Sequence, residues 1–186
     1  MNNPFFTIGH STRPIPAFVE LLRKGEAAMV VDVRTVPRSR YNPQYNGDIL
    51  GHALAPYQIG YTRIAELGGL RKKVPGIDPD MNGWWDNRSF HNYADYALSS
   101  AGFRRGLDRL IALGRERRVA VMCAEGVWWR CHRRIIADYL LARGEEVFHL
   151  MGEDRIEPAV LTNAARPEGD SVAYPAAAPH LPLPGL

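Results

Sequence analysis

The residues best suited to chemistry fall in one stretch, residues 119–134, with the sequence VAVMCAEGVWWRCHRR. Cys131 is a candidate nucleophile, because the free backbone N–H groups at a helix start and the cations Arg130 and Arg133 favour a thiolate over a thiol. His132 is its neighbour, and a cysteine beside a histidine is a pair that covalent catalysis uses. Alternatively, Cys131 begins the buried stripe of that helix and has no chemical role.

Two further groups lie in the loop before Cys131. Glu125 lies in a loop that also carries Trp128 and Trp129, so its carboxyl group could have a raised pKa and act as a general acid or base. A salt bridge to Arg34 or Arg130 is the alternative. Cys123 ends an apolar run and is followed by a loop, an arginine and a helix. The same order of elements occurs in cysteine phosphatases and sulfurtransferases. The loop fits them poorly, because it has one glycine, two tryptophans and a carboxylate that would repel phosphate. We therefore expect Cys123 to be less thiolate-like than Cys131.

Polar residues also follow two other apolar runs. His10 could hydrogen-bond to a ligand, and Ser11 beside it could contact the ligand or cap the next helix. Arg34 and Arg38 follow another run, and their planar guanidinium groups suit phosphate or carboxylate. Asp32 lies within that run and requires a partner if it is buried, for which Arg34 is the obvious candidate.

The elements that must position these residues are strands alternating with helices. Strands are predicted at residues 5–8, 28–33, 60–64, 119–122 and 146–150, and helices near 14–25, 49–54, 92–118 and 130–143. This alternation predicts a single three-layer, Rossmann-like α/β domain with a mostly parallel sheet of about five strands. We expect the domain to span residues 1–165, with a Pro/Ala-rich tail, 166–186, packed on or near it.

Because the carboxyl ends of parallel strands lie along one edge of a sheet, the three polar groups should meet around one crevice. His10 comes from the first strand, Arg34 from the second, and Glu125 and Cys131 from the segment after the fourth. This convergence requires the strands to be parallel neighbours.

Composition limits the remaining functional classes. The 186 residues carry a formal charge of +3, which is mildly basic and not by itself typical of a nucleic-acid-binding protein. No apolar run approaches the ~20 residues of a membrane span, so we expect no membrane association. The start of the chain has no basic leader, and both cysteines belong to one motif, so a reducing cytoplasm is the expected location.

Metal and cofactor signatures are missing from the sequence. Cys123, Cys131 and His132 do not show the paired, closely spaced ligands of a zinc site. No phosphate-binding loop or dinucleotide fingerprint is present, so we predict no metal and no cofactor.

Several short segments occur in an order that resembles a known family. They are TIGHS at residues 7–11, VDVR at 31–34, PRSR at 37–40, NPQ at 42–44, LGG at 67–69, YA at 93–94, MCAE at 122–125 and CHR at 131–133. Together they are similar to the family called domain of unknown function 488. The resemblance implies a compact α/β domain of bacterial and archaeal cytoplasm with no established activity, and it supports the choice of site residues.

The leading functional hypothesis is a cytoplasmic protein whose Arg-lined crevice binds an anionic small molecule, either a nucleotide or another phosphorylated compound, with catalysis as an open question. Catalytic candidates are Cys131, Glu125, His10 and His132, and ligand-binding candidates are Ser11, Arg34, Arg38, Arg130 and Arg133. Two alternatives are a nucleic-acid-binding module that uses arginines and tryptophans, and a structural or interaction protein.

Overall fold

The computed structural model describes residues 2–152 and 155–177 of the chain. The strands are β1 (Phe5–Gly9), β2 (Met29–Asp32), β3 (Gly60–Arg63), β4 (Val119–Cys123), β5 (Val147–Leu150), β6 (Ile156–Pro158), β7 (Arg166–Glu168) and β8 (Ser171–Ala173). The helices are α1 (Ile15–Lys24), α2 (Gly47–Leu54), α3 (Arg88–Ser99), α4 (Ala101–Glu116) and α5 (Arg133–Ala142). Short 3-10 turns occur between them, including one at Trp128–Arg130.

The central sheet has the strand order β3-β2-β4-β1-β5-β6. All pairs among the first five strands are parallel, and only β6 runs antiparallel to its neighbour. The predicted α/β class and mostly parallel sheet are therefore confirmed. The sequence did not reveal β6, because a strand of three residues is too short to show a period and its Pro158 suits only a sheet edge.

Helices cover both faces of this sheet, which gives three layers. Because side chains alternate along a strand, Val119, Val121 and Cys123 of β4 pack with α3, α4 and α5, whereas Ala120 and Met122 pack with α1 and α2. Strands β1 and β4 are buried along their whole length, which explains their nearly continuous apolar sequence. Cys123 consequently lies on the face of the sheet that carries α5.

Local signals account for most helix boundaries. Pro14 and Pro16 lie at the start of α1, where proline fits because the first N–H groups of a helix lack partners. The predicted helical region 92–118 is two helices, and Ser100 separates them by capping α4 through the N–H of Phe103. Gly144 ends α5 with a φ of +77°, a conformation that favours glycine.

Two differences from the predicted elements bear on the site. Helix α5 begins at Arg133 and not at residue 130, so Cys131 precedes the helix and follows the turn Trp128–Arg130. Residues 166–177 form the β7–β8 hairpin and a following segment, and buried Val172 and Tyr174 pack into the core. Residues 178–186 of the predicted tail lie outside the described residues. None of the described helices combines the length and apolar character needed to cross a membrane.

Candidate functional site

A pocket of about 460 Å³ lies at the carboxyl edge of the sheet, beyond the ends of β1, β2 and β4. These three strands are neighbours, and their pairing continues past the strand ends: the N–H of His10 donates to the Cys123 carbonyl at 2.9 Å, and the N–H of Val33 donates to the Met122 carbonyl at 3.0 Å. The lining consists of His10, Arg34, Thr35, Val36, Arg38, Ser39, Gly69, Leu70, Ser89, Phe90, Cys123, Ala124, Glu125, Arg130, Cys131 and His132.

Cys131 lies at the amino end of α5, and its sulfur is a hydrogen-bond acceptor there. The backbone N–H and the Nε–H of Arg133 both donate to Cys131 Sγ, each at 3.4 Å. A free N–H at the start of a helix carries partial positive charge, and the guanidinium group adds a full charge. Both contacts stabilise a thiolate more strongly than a thiol.

Arg133 is buried, with 1% of its surface exposed. Its Nη2 donates to the Glu125 carbonyl oxygen at 2.6 Å, and no carboxylate forms an ion pair with it in the described parts of the chain. Burial opposes its charge, but the neighbouring Cys123 and Cys131 raise the pKa of Arg133 above its ordinary value. A buried cation requires a compensating anion, and the thiolate of Cys131 is the group positioned to supply it.

His132 links the thiolate to the end of β2. Its Nε2 lies 2.9 Å from the Val33 carbonyl oxygen, and its Nδ1 lies 3.5 Å from Cys131 Sγ. A carbonyl oxygen can only accept, so this geometry assigns a proton to Nε2. The opposite ring nitrogen, Nδ1, is then free to accept the proton of Cys131 or to return it.

The two cysteines differ in their ionisation. Burial raises the pKa of the Cys123 thiol well above its usual value, and its hydrogen bond to Cys131 adds to this shift. Burial also opposes ionisation of Cys131, yet the pKa of Cys131 falls well below its usual value because Cys123 donates to it and because His132 and Arg133 are adjacent. The expected difference between the two thiols agrees with this geometry.

Arg34 is largely engaged inside the protein. Its Nε donates to Oδ1 of Asp32 at 2.9 Å and its Nη2 donates to Oδ2 at 2.6 Å, while Nη2 also donates to the Tyr45 carbonyl at 2.7 Å. Asp32 is fully buried and also accepts from the Tyr61 hydroxyl at 2.7 Å. Burial opposes the Arg34 charge, but its hydrogen bonds to Asp32 raise its pKa above the ordinary value. Arg34 therefore reaches the pocket with its charge already compensated.

His10 is held as a neutral ring against Arg34. Its Nδ1 donates to the Ser11 carbonyl at 2.8 Å, and its Nε2 accepts from Arg34 Nη1 at 3.3 Å. The ring also stacks on Tyr45 at 4.2 Å between centroids. Burial lowers the pKa of His10 to about 4, and the Arg34 charge acts in the same direction. An acceptor at Nε2 requires the neutral form, so geometry and ionisation agree.

The outer part of the pocket carries charges of both signs. Arg38 is exposed and pairs with the equally exposed Asp48 at 3.4 Å. Arg130 and Glu125 are also exposed, and neither side chain has a hydrogen bond or ion pair to another residue in the described ranges. Glu125 therefore does not form the salt bridge to Arg34 or Arg130 that the sequence left open.

Two glycines allow the chain to come close together around this pocket. A Cβ at Gly9 would lie 1.7 Å from the Glu125 carbonyl oxygen, which is the oxygen that accepts from Arg133. A Cβ at Gly69 would lie 2.5 Å from His132 Nδ1. Any larger residue at either position would displace the groups that surround the thiolate.

The structure brings most of the predicted site residues to this pocket. His10, Arg34, Arg38, Glu125, Arg130, Cys131 and His132 line it, and Ser11 and Arg133 are not part of the lining. Arg133 lies behind Cys131, and Ser11 contributes its carbonyl to His10. Ser11 does not cap α1 either, because that helix begins after Pro14 and has no side-chain cap.

The sequence interpretation missed the apolar part of the lining. Val36, Leu70 and Phe90 form it, and Val36 and Leu70 are 57% and 73% exposed. They come from irregular segments and a helix start, where no apolar period marks them. The exposed leucine directly after Gly68 and Gly69 is a signal that could have indicated a pocket rim.

The tryptophans considered as stacking platforms for bases make internal contacts instead. The Arg134 guanidinium lies over the rings of Trp84, Trp85 and Trp128 at 5.4, 5.1 and 5.8 Å. Trp128 also stacks on His149 at 4.3 Å. Trp129 alone of the four tryptophans is exposed, so these rings offer little free surface for bases. Among the described residues, no group of three or more His, Cys, Asp or Glu side chains could hold a metal ion.

Comparison with known proteins agrees with the sequence motifs. No curated protein and no solved structure matches the chain. A family model described as Domain of unknown function DUF488 matches residues 14–140, which include β2, β4, Cys131 and most of α5. Because this match covers more than half of the 186 residues, the chain belongs to the DUF488 family.

Proposed function

We propose that this protein is an enzyme in which the Cys131 thiolate attacks an anionic small molecule, of a phosphorylated or nucleotide-like class. One observation carries the proposal: at the pocket, Cys131 Sγ lies 3.4 Å from Arg133 Nε and 3.5 Å from His132 Nδ1. A nucleophile, a group that stabilises its charge and a group that can move a proton are thus together at the inner end of one pocket.

In this proposal each residue at the pocket has a separate role in the reaction. Cys131 forms the covalent bond to an electrophilic centre of the substrate, and His132 carries the proton at Nδ1 and gives it to the leaving group. Val33 holds the ring in position through Nε2. His10 acts by orienting Arg34, and the exposed Glu125 is the acid–base group for a water molecule at the pocket mouth.

The substrate class follows from the free charges and the apolar lining. Arg130, at the mouth, has no ion-pair partner among the described residues, and the Arg38–Asp48 pair is so exposed that it costs little to exchange for a ligand. Val36, Leu70 and Phe90 offer an apolar surface to the body of the substrate. A substrate with an anionic group attached to an apolar or aromatic body would contact both the arginines at the mouth and the apolar lining. We place this activity in the cytoplasm, where both thiols remain reduced.

Alkylation with two probes of different charge tests the nucleophile and the pocket together. Iodoacetamide is neutral, iodoacetate is anionic, and both react with thiolates. We expect Cys131 to be alkylated before Cys123, with an iodoacetate-to-iodoacetamide rate ratio above that of glutathione under the same conditions. Peptide mass spectrometry identifies the alkylated cysteine.

Two arginine variants separate local charge from net charge. Arg130→Ala should lower the rate ratio by about fivefold, since a unit charge about 4 Å away contributes about 1 kcal/mol in water. Arg105→Ala removes the same charge from an exposed position of α4 outside the pocket and should leave the ratio unchanged. Equal ratios in the wild type and in Arg130→Ala would contradict anion binding, and preferential alkylation of Cys123 would contradict the choice of nucleophile.

A further inference from the structure

The two cysteines of the chain are placed as partners around a single buried cation. Arg133 Nε lies 3.4 Å from Cys131 Sγ. The Glu125 carbonyl oxygen accepts from Arg133 Nη2 at 2.6 Å and lies 4.0 Å from Cys123 Sγ. Both cysteines also line the same pocket, and the chain has no other cysteine.

We propose that Cys123 and Cys131 are a redox couple, in which Cys131 reacts with a small-molecule disulfide and Cys123 closes an intramolecular disulfide. The proposal rests on the reactive Cys131 of the proposed function and adds a second activity, two-electron thiol–disulfide exchange. Both cysteines are nearly buried, so the pocket is the route by which a small oxidant reaches them.

The exchange takes place in two steps. The Cys131 thiolate attacks one sulfur of the oxidant, the S–S bond of the oxidant breaks, and one thiolate leaves while Cys131 forms a mixed disulfide. Cys123 then loses its proton to the departing thiolate and attacks Cys131 Sγ. The mixed disulfide breaks, the second small thiolate leaves and takes its proton from water, and the protein has lost two electrons to the oxidant.

Arg133 explains why the second step follows the first. In the reduced protein Cys123 donates to the Glu125 carbonyl at 4.0 Å and burial keeps it a neutral thiol, whereas Cys131, beside Arg133, carries the negative charge. The mixed disulfide removes that negative charge, so the buried guanidinium group is left without an anion. Ionisation of Cys123 restores the balance, because Arg133 also lies beside Cys123. The cation that first stabilises Cys131 thus activates Cys123.

The same charge balance makes the disulfide easy to reduce. The closed disulfide has no negative charge to compensate Arg133, whereas the reduced pair has one. A reduced form that is stabilised in this way makes its disulfide an oxidant. We therefore expect the disulfide to be transient in a reducing cytoplasm.

Oxidised glutathione is the probe, and whole-chain mass spectrometry after trapping of free thiols with iodoacetamide is the measurement. Wild-type protein should lose both free thiols without a stable adduct, and excess reduced glutathione should restore them. Cys123→Ser should accumulate one glutathione on Cys131. Cys131→Ser should acquire none over the same time.

Each alternative result has a defined meaning. A stable glutathione adduct on wild-type protein would overturn the redox couple, and so would a first adduct on Cys123. If iodoacetamide alkylates Cys131 but oxidised glutathione leaves both thiols free, the redox couple fails and the proposed nucleophile stands. If neither reagent reacts with Cys131, both proposals fail. The wild-type measurement needs no variant, so a misfolded serine variant does not leave the question open.

Discussion

Replacement of Arg133 by methionine should raise the pKa of Cys131. At the observed 3.4 Å, a unit charge opposite the thiolate is worth about 5 kcal/mol at an effective dielectric constant of about 20. This would correspond to about 3.6 pKa units at 1.36 kcal/mol per unit. Because the guanidinium charge is spread over atoms farther away than Nε, we expect a shift of about 1–3 units.

The assay is the rate of iodoacetamide alkylation between pH 4 and pH 10. The wild-type rate should already be near its plateau at neutral pH, because the pKa of Cys131 is well below its usual value. An ordinary thiol, with a pKa near ~8.5, would still be accelerating in that range. In Arg133→Met the midpoint of the profile should move upward by about 1–3 units.

A matched variant and a clear counter-result accompany this prediction. Arg105→Met on α4 removes the same charge from an exposed site and should leave the midpoint in place. If Arg133→Met alkylates with the wild-type midpoint, the guanidinium group does not stabilise the thiolate and the interpretation of the buried cation is wrong. Far-ultraviolet circular dichroism of both variants checks that the fold is retained.

Three further predictions concern the groups around the pocket. Arg34→Met should lower the free energy of unfolding, measured by urea denaturation, by about 3–5 kcal/mol, because it leaves the buried Asp32 carboxylate without its ion-pair partner. A second change, Asp32→Asn, should recover much of that loss. An unchanged free energy of unfolding in Arg34→Met would refute the prediction. Burial lowers the pKa of His10 from 6.5 to about 4. The stability that the fold gains from the neutral His10 ring is therefore complete above pH 6.5 and is lost as the pH falls through 4. The stability of wild-type protein should therefore decrease by about 3 kcal/mol more than that of His10→Gln between pH 7 and pH 4, and parallel curves would contradict the shift. Gly69→Ala should slow alkylation of the thiolate at neutral pH, since the new Cβ would lie 2.5 Å from His132 Nδ1, and a wild-type rate would show that the imidazole position is not needed.

The fold was predictable because its signals are local and periodic. Strands β1, β2, β4 and β5 are largely apolar runs bounded by turn residues, and parallel pairing follows from the alternation of strands with helices. The position of the site followed from the same reasoning, since residues after β1, β2 and β4 must meet at one sheet edge. The strand order was not predictable, because strands that are apolar on both faces carry no sequence signal that identifies their neighbours in the sheet.

The charge partners within the site were less predictable, because they depend on side-chain direction. The pairing of Asp32 with Arg34 could be inferred from a buried carboxylate two residues before an arginine. The lack of an ion pair at Glu125 among the described residues could not be inferred, since the exposed Glu125 side chain is not held in one direction by its neighbours. Val36, Leu70 and Phe90 come from three separate segments, and only the packing of those segments brings them to one pocket.

The contact between Cys131 and Arg133 shows how a boundary error of three residues changes the chemistry. A helix that began at residue 130 would place these side chains two positions apart on a helical surface, where they do not face each other. The helix instead begins at Arg133, and the extended backbone at Cys131 lets the guanidinium group return to the sulfur. Arg133 is then buried with no carboxylate partner in the described ranges, so the fold itself favours an anion at the adjacent sulfur. In this protein the position at which α5 begins therefore sets the charge environment of the Cys131 sulfur.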